Sequence, residues 1–136
     1  MATSPQRAEG ESKEKERSSS SSEEDIPKAP IPCLFTKPRA ESMDRVKWLV
    51  IYAHANGCDL GGISDEMYFL AGELGVYFLA LEYRGYGLSL GKSCEKALNN
   101  DIATVFEYAT EVLKVPSNRI ILWGCSLGTG LCTNLA

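Results

Sequence analysis

Residues 119–130 read Arg-Ile-Ile-Leu-Trp-Gly-Cys-Ser-Leu-Gly-Thr-Gly, and this stretch decides the fold. Its apolar start, residues 120–123, is typical of a short strand buried on both faces of a parallel sheet. A strand that runs through Gly-x-Ser-x-Gly into a helix predicts a nucleophile elbow, a tight turn that raises one serine above the sheet. We expect glycine at positions 124 and 128 because side chains there would collide with the neighbouring strand and helix.

Ser126 is the candidate nucleophile of this elbow. The free N–H groups and the positive end of the helix that follows would face the oxyanion formed when the serine attacks a carbonyl group. The short pattern also has a second interpretation, a glycine-rich turn in another type of α/β domain with Ser126 only capping the helix. Evidence from the rest of the chain has to discriminate between the two.

Length and composition limit the possible classes of protein. The chain has 136 residues, 44% of them hydrophobic, and a formal net charge of −4, which fits one domain with about 100 ordered residues. No apolar run approaches the ~20 residues of a membrane-spanning helix, and the mild acidity argues against a nucleic-acid partner. The five cysteines are odd in number and lack metal-ligand spacing. They predict reduced thiols in a cytoplasmic protein, with no metal and no cofactor.

Residues 1–29 and residues 30–136 differ sharply in character. The first segment mixes Ser, Glu, Lys and Pro with almost no large apolar side chain, which predicts a disordered tail. The second alternates apolar runs with helical patterns, which predicts an α/β domain with a largely parallel sheet. The predicted strands are residues 31–36, 46–53, 76–81 and 120–123. The first predicted helix buries Ile63, Met67, Leu70, Ala71 and Leu74 and has Gly75 as its C-cap. The second, over residues 94–114, buries Leu98, Ile102, Val105, Ala109 and Val112. A third predicted helix follows Ser126.

A serine that transfers an acyl group needs a second oxyanion donor besides the N–H of the next residue. With such an elbow, that donor comes from a loop after an earlier strand, and residues 54–57, His-Ala-Asn-Gly, occupy this place. We assign the oxyanion hole to the backbone N–H groups of Asn56 and Leu127. His54 is expected to hold this loop through its own hydrogen bonds rather than to catalyse, since a triad on this fold runs Ser, acid, His and His54 precedes Ser126.

Three ordered motifs resemble those of the α/β-hydrolase superfamily. They are His-Ala-Asn-Gly-Cys-Asp-Leu-Gly-Gly at residues 54–62, Glu-Tyr-Arg-Gly-Tyr-Gly-Leu-Ser-Leu-Gly-Lys at residues 82–92, and Trp-Gly-Cys-Ser-Leu-Gly-Thr at residues 123–129. The branch they most resemble contains the depalmitoylase-type acyl-protein thioesterases. The resemblance covers residues 31–136 and implies Ser126 as nucleophile, hydrolysis of an ester or thioester, and a sheet in which the strand at 76–81 lies between those at 31–36 and 46–53.

The chain departs from the pattern of that branch at several points. Ala55 replaces the usual glycine, and Glu82 replaces the usual aspartate. The N-terminal cysteine cluster that such depalmitoylases use for membrane anchoring is missing, because Cys33 is the only cysteine before the motifs. A cytoplasmic location is therefore expected, and peripheral association with membranes is left open.

No Asp, Glu or His follows Ser126, so the triad cannot close within these 136 residues. We expect the chain to be the N-terminal part of an α/β-hydrolase fold, truncated after the elbow helix and inactive alone. The complete form would hydrolyse acyl esters or thioesters through an acyl-enzyme, with an acylated small molecule or an acyl-protein, as in depalmitoylation, as its substrate. The alternatives are a serine peptidase of the same fold and a non-catalytic interaction fragment.

Overall fold

The computed structural model describes residues 29–39 and 48–136, which form a four-stranded sheet flanked by helices. The predicted disordered tail lies outside these residues, apart from Ala29. Across the sheet the order is β1-β3-β2-β4, with β1 antiparallel to β3 and the other neighbours parallel. This confirms the predicted α/β architecture and strand order. The strands are β1 (Cys33–Thr36), β2 (Leu49–Ala53), β3 (Tyr77–Leu81) and β4 (Ile120–Gly124).

Helices cover the two faces of the sheet unequally. The helix α1 (Leu60–Leu74) packs on one face, and α2 (Glu95–Glu107) and α3 (Leu127–Leu135) pack on the other. Side chains alternate along each strand, so neighbouring strand residues enter different cores. The core under α1 contains Val50, Tyr52, Ile63, Met67, Ala71, Phe78 and Ala80. The core under α2 and α3 contains Leu49, Ile51, Ala53, Leu79, Leu81, Tyr83, Leu98, Ile102, Val105, Ala109, Leu131 and Cys132.

The helix α1 ends where its sequence predicts, and a side chain caps its start. Asp59 is the N-cap, and its Oδ1 accepts a hydrogen bond from the Gly62 N–H at 2.7 Å. Gly75 is the C-cap in the left-handed conformation, with φ 65°. The predicted apolar stripe is wrong at its last position, because Leu74 is 53% exposed. Burial therefore stops before the final residue of the helix.

The second predicted helix, residues 94–114, changes geometry partway. It is α-helical over α2 and continues as a π-helical turn at Tyr108–Val112. A π turn is wider than an α turn, so it rotates the following side chains away from the helical stripe. The prediction that Val112 is buried is wrong for this reason, since that side chain is 61% exposed. A short 3₁₀ turn, Ser117–Arg119, then leads into β4.

The strand β4 is an edge strand of the sheet formed by the described residues. Ile121 and Trp123 are 42% and 39% exposed, although Trp123 contacts the rings of Tyr52 and Phe78. The prediction of burial on both faces is thus wrong for this strand. The reason is that, within the described chain, neither a further strand nor α1 covers these two side chains.

The register of the three parallel strands brings the predicted motifs together. Ala53 pairs with both Leu81 and Gly124, so β2, β3 and β4 end at the same level. The carboxyl ends of parallel strands meet at one edge of a sheet, which is where open α/β folds place their sites. The loop after β2, the loop after β3 and the elbow after β4 therefore leave this edge side by side.

Candidate active site

Ser126 occupies a strained turn between β4 and α3. Its backbone has φ 49° and ψ −109°, a conformation that costs a non-glycine residue about 1–3 kcal/mol. The turn is closed by hydrogen bonds from the Gly128 N–H to the Cys125 carbonyl (2.9 Å) and from the Thr129 N–H to the Ser126 carbonyl (3.0 Å). Ser126 stands at the N-cap position of α3 but its side chain makes no capping hydrogen bond, so the capping interpretation is wrong. The serine is exposed at the sheet edge instead.

The two elbow glycines are confirmed as positions without room for a side chain. A Cβ on Gly124 would strike the backbone of Gly128 and would lie 2.5 Å from the Thr129 nitrogen. A Cβ on Gly128 would strike the Ala53 carbonyl group and would lie 2.8 Å from the Ala53 Cβ. Glycine at both positions lets the start of α3 pack directly on the ends of β4 and β2.

The oxyanion loop, residues 54–57, lies beside this elbow. The Cys125 N–H donates to the carbonyl oxygen of Ala53, at 2.9 Å, and so joins the elbow to the residue before the loop. Asn56, Ser126 and Leu127 line one cleft of about 680 Å³. The first N–H groups of a helix have no intrahelical acceptor, so the Leu127 N–H is of the kind that can bind an oxyanion. The assignment of the Asn56 and Leu127 N–H groups to an oxyanion hole stays a prediction.

The cleft combines an apolar floor with polar groups around Ser126. Leu98 and Leu131 are buried side chains on α2 and α3 that form part of its lining, together with Leu127. Tyr86 and Glu95 contribute polar groups to the same lining. An acyl chain could lie on the leucines while its carbonyl group approaches the serine.

His54, the only histidine of the chain, is fully buried behind the oxyanion loop. Its Nδ1 lies 3.0 Å from the Ala55 carbonyl oxygen and its Nε2 lies 2.9 Å from Glu82 Oε1. The ring also packs against Tyr83, with 4.2 Å between ring centroids. These contacts fit the predicted loop-supporting role, which stays a prediction. Both ring nitrogens are engaged, so this histidine is poorly placed to act as a base for Ser126.

Sequence reasoning missed the supporting roles of residues just after β3. The Tyr83 hydroxyl donates to the His54 carbonyl oxygen at 2.7 Å, and burial raises the pKa of this hydroxyl well above its ordinary value. The Tyr86 hydroxyl donates to Asn56 Oδ1, also at 2.7 Å. One available signal was the position of a charged residue, Glu82, directly after a buried strand and at the edge where the other motifs emerge.

A buried ion pair fixes the same loop to α2. The Arg84 Nε donates to Asp101 Oδ2 at 2.8 Å, and the Arg84 Nη2 donates to Asp101 Oδ1. Both residues are buried, and the hydrogen bonds to Asp101 raise the pKa of the guanidinium. The two residues lie 17 positions apart in the sequence, so no local pattern predicts their contact.

Residues 29–39 and 48–136 contain neither a cluster of metal ligands nor a helix that could span a membrane. These residues contain no group of three or more His, Cys, Asp or Glu side chains placed to hold a metal ion. In the same part of the chain, no helix has both the length and the apolar character that crossing a bilayer requires.

Comparisons with known proteins, by sequence and by structure, both find alpha/beta hydrolases. No protein-family profile matches the chain. It is 34% identical over 106 residues to the alpha/beta hydrolase domain-containing protein aho-3 of Caenorhabditis elegans, covering 78% of this chain and 31% of that protein. It is 37% identical over 90 residues to the lysophosphatidylserine lipase ABHD12 of Bos taurus, covering 64% of this chain and 22% of that protein. The chain thus spans less than a third of the length of either relative.

Solved structures share the fold. A monoglyceride lipase from Saccharomyces cerevisiae superposes with a TM-score of 0.63 at 24% identity, covering 82% of this chain and 37% of the yeast chain. An alpha-beta serine hydrolase homologue from Coxiella burnetii superposes with a TM-score of 0.60 at 19% identity, covering 82% and 53% of the two chains. The chain belongs to the α/β-hydrolase superfamily.

Proposed function

We propose that the protein is a serine hydrolase that cleaves acyl esters or thioesters through an acyl-enzyme on Ser126. The observation that carries the proposal is the conformation of Ser126. Its backbone is strained, and its side chain is exposed and makes no capping hydrogen bond. The elbow glycines on either side of it, Gly124 and Gly128, admit no side chain. A protein retains such strain where the conformation serves a function, and presenting a nucleophile above a sheet is one such function.

In this mechanism the Ser126 Oγ attacks the substrate carbonyl carbon and the carbonyl oxygen becomes an oxyanion. The Leu127 and Asn56 N–H groups donate hydrogen bonds to that oxygen. The alcohol or thiol then leaves with a proton, and water hydrolyses the acyl-serine. The mechanism also needs a general base and its acid partner, which the part of the chain after Ser126 does not supply, because it contains no Asp, Glu or His, and the ring of His54 is engaged elsewhere.

An acyl substrate is supported by the cleft and by the relatives. The leucines in the lining offer an apolar surface beside the serine, as a fatty acyl chain requires. Two of the similar proteins are described as a lysophosphatidylserine lipase and a monoglyceride lipase, both of which cleave acyl esters. Deacylation of a protein thioester is the finer proposal, and it depends on the resemblance of the three motifs to depalmitoylase-type enzymes.

The test compares the 136-residue chain with any longer form that the same gene encodes. A fluorophosphonate probe reports whether the Ser126 hydroxyl is activated, and Ser126→Ala is the control in each form. We expect weak labelling of the short chain, since serine has little reactivity without a base. A longer form that supplies an Asp and a His should label strongly, and only when Ser126 is present.

Hydrolysis assays then separate the substrate classes. A monoacylglycerol, a lysophospholipid and a palmitoyl-thioester peptide are offered to the longer form at equal concentration. Turnover of any of them that is lost in Ser126→Ala supports the hydrolase. Strong labelling of the short chain at Ser126, or a longer form with both triad partners that neither labels nor hydrolyses these substrates, would refute the mechanism.

A further inference from the structure

A short segment after β3, residues 82–86, makes three separate hydrogen-bonded contacts with the oxyanion loop. We call it the supporting segment. Glu82 contacts the ring of His54, Tyr83 donates to the His54 carbonyl oxygen, and Tyr86 donates to the side chain of Asn56. The contacts join residues that lie 28, 29 and 30 positions apart. The supporting segment therefore contacts the oxyanion loop near both of its ends, while Arg84 between them pairs with Asp101 on α2.

Glu82 is the centre of this arrangement. Its side chain is 5% exposed, and each of its carboxylate oxygens has a different partner. Oε1 lies 2.9 Å from His54 Nε2, and Oε2 accepts a hydrogen bond from the Leu60 N–H at 2.9 Å. Leu60 is the first residue of α1, so the carboxylate also lies at the positive end of that helix. Glu82 thus connects the oxyanion loop with the start of α1.

The chemistry of these contacts requires a proton between Glu82 and His54. In the part of the chain that the structure describes, the partner of His54 Nδ1 is the Ala55 carbonyl oxygen, which can only accept, so Nδ1 must carry the hydrogen of this contact. At Nε2 the partner is a carboxylate oxygen, which cannot donate when ionised. Two lone pairs facing each other at 2.9 Å would repel, so one proton lies between Nε2 and Oε1, whichever of the two atoms holds it.

Close packing keeps this pair away from water. Gly87 has φ +50°, and a Cβ there would lie 2.5 Å from Glu82 Oε2 and 3.3 Å from the Asp59 Cβ. The turn after the supporting segment therefore lies directly against the carboxylate and against the N-cap of α1. On the other side the ring of His54 is shielded by Tyr83 and Tyr86, at centroid distances of 4.2 and 5.8 Å.

We propose that Glu82 and Tyr86 are positioning residues of the oxyanion hole: Glu82 through a proton held against the ring of His54, and Tyr86 through the Asn56 side chain. The inference rests on the proposed function, since it gives these residues a role in presenting the Asn56 N–H. Asn56 is itself exposed, in the turn of the loop between β2 and α1. Without the contacts at both ends of that loop, its N–H would sample orientations that no longer face the cleft.

The held proton can be measured directly, because His54 is the only histidine of the chain. In the ¹⁵N-labelled 136-residue chain near neutral pH, we expect a low-field proton resonance from the Nε2–Oε1 contact that exchanges slowly with water. In Glu82→Gln the amide can donate to Nε2 and still accept from Leu60, so this resonance should disappear while the Asn56 amide signal stays in place. A wild-type chain without the resonance, or a resonance that survives in Glu82→Gln, would overturn the inference.

Two variants test whether the contacts hold the loop. Glu82→Ala removes both carboxylate bonds and should speed exchange of the Leu60 and Asn56 amide protons. Tyr86→Phe removes only the hydroxyl and should shift the Asn56 signals while leaving the low-field resonance. Tyr68→Phe is the matched control, because Tyr68 is 57% exposed on α1, and it should change none of these signals. Unchanged Asn56 signals in both Glu82→Ala and Tyr86→Phe would overturn the positioning role.

Kinetics separate this inference from the proposed function. In a longer form that labels at Ser126, Tyr86→Phe should lower kcat about tenfold, less than the roughly 10²–10³-fold typical of deleting an oxyanion donor outright. KM should stay within about twofold, since the lost interaction acts in the transition state. An active longer form with normal kcat in Tyr86→Phe and Glu82→Ala would refute the positioning role alone. A longer form that never labels would refute the hydrolase, whatever the resonance shows.

Discussion

Gly128→Ala and Gly130→Ala place the same methyl group two residues apart in one helix, with opposite expected effects. At Gly128 the new Cβ would lie 2.6 Å from the Ala53 carbonyl carbon, where ordinary contact begins at 3.4 Å. The obstacle is backbone at the end of a central strand and cannot rotate away. The helix α3 would therefore have to retreat from β2 by about 0.8 Å or more.

The energetic cost of that retreat can be estimated. Overpacking a close-packed core costs about 1–3 kcal/mol, and the upper end applies where the contact is backbone. Replacing glycine by alanine in a helix returns about 1 kcal/mol. At Gly130 only this gain is expected, because a Cβ there has no atom within 4 Å. We expect the free energies of unfolding of the two variants to differ by about 3 kcal/mol, a large share of the 5–15 kcal/mol typical of a domain.

Urea unfolding followed by tryptophan fluorescence provides the assay. Trp123 precedes Gly124 and contacts Tyr52 and Phe78, so its emission reports on packing beside the elbow. With a slope of about 1–3 kcal/mol per molar urea, the two unfolding midpoints should differ by roughly 1–3 M. A Gly128→Ala variant that unfolds at or above the wild-type midpoint would refute the argument that this glycine sets the approach of α3 to β2.

Four other measurements test three separate parts of the structure. Asp101→Ala should lower the free energy of unfolding by about 3–5 kcal/mol because it removes the carboxylate of a buried pair, whereas Arg84→Leu combined with Asp101→Leu should lose less; equal losses would contradict this. The Cys33 side chain is exposed on β1 but partly desolvated, and this desolvation raises the pKa of its thiol from 9.0 to about 11, so Cys33 should alkylate more slowly at mildly alkaline pH in the folded chain than in urea. The same shift means that the unfolded thiol ionises first, so the contribution of Cys33 to stability should fall as pH rises from 9.0 towards about 11, and Cys33→Ser should flatten that dependence. Ile121→Lys places a charge on the exposed edge strand and should reduce light scattering of concentrated solutions, and unchanged scattering would exclude this edge as the site of association.

The sequence was most informative where a local rule determines the structure. The cap at Gly75 and the glycines of the elbow follow from conformation and space at single positions, and the apolar runs predict all four strands. Strand order is not a local property, and it followed only from the resemblance of the three motifs to a known superfamily. What the sequence could not show was the width of a turn, as at Val112, because a π turn depends on packing rather than on periodicity.

The candidate site likewise contains one residue that a local pattern predicts and several contacts that no local pattern predicts. Ser126 stands out because its neighbours in sequence are its neighbours in space. The contacts of Glu82, Tyr83 and Tyr86 with the oxyanion loop join residues about 30 positions apart and depend on two strands ending at one level. A single sequence carries no direct record of such pairs, since each partner is an ordinary residue in its own segment.

Because β2, β3 and β4 end at the same level, the position of the oxyanion loop relative to the elbow depends on the number of residues in each strand. One residue inserted into β2 would advance the oxyanion loop by about 3.3 Å relative to the elbow and would turn the following side chains to the opposite face. A substitution cannot easily shift the loop in this way, because it leaves the number of residues in the strand unchanged. In contrast, an insertion beside Leu88, a residue 98% exposed in the loop after β3, leaves all three strand ends aligned. Lineages of this protein should therefore vary in length at that loop and remain constant in length within the strands.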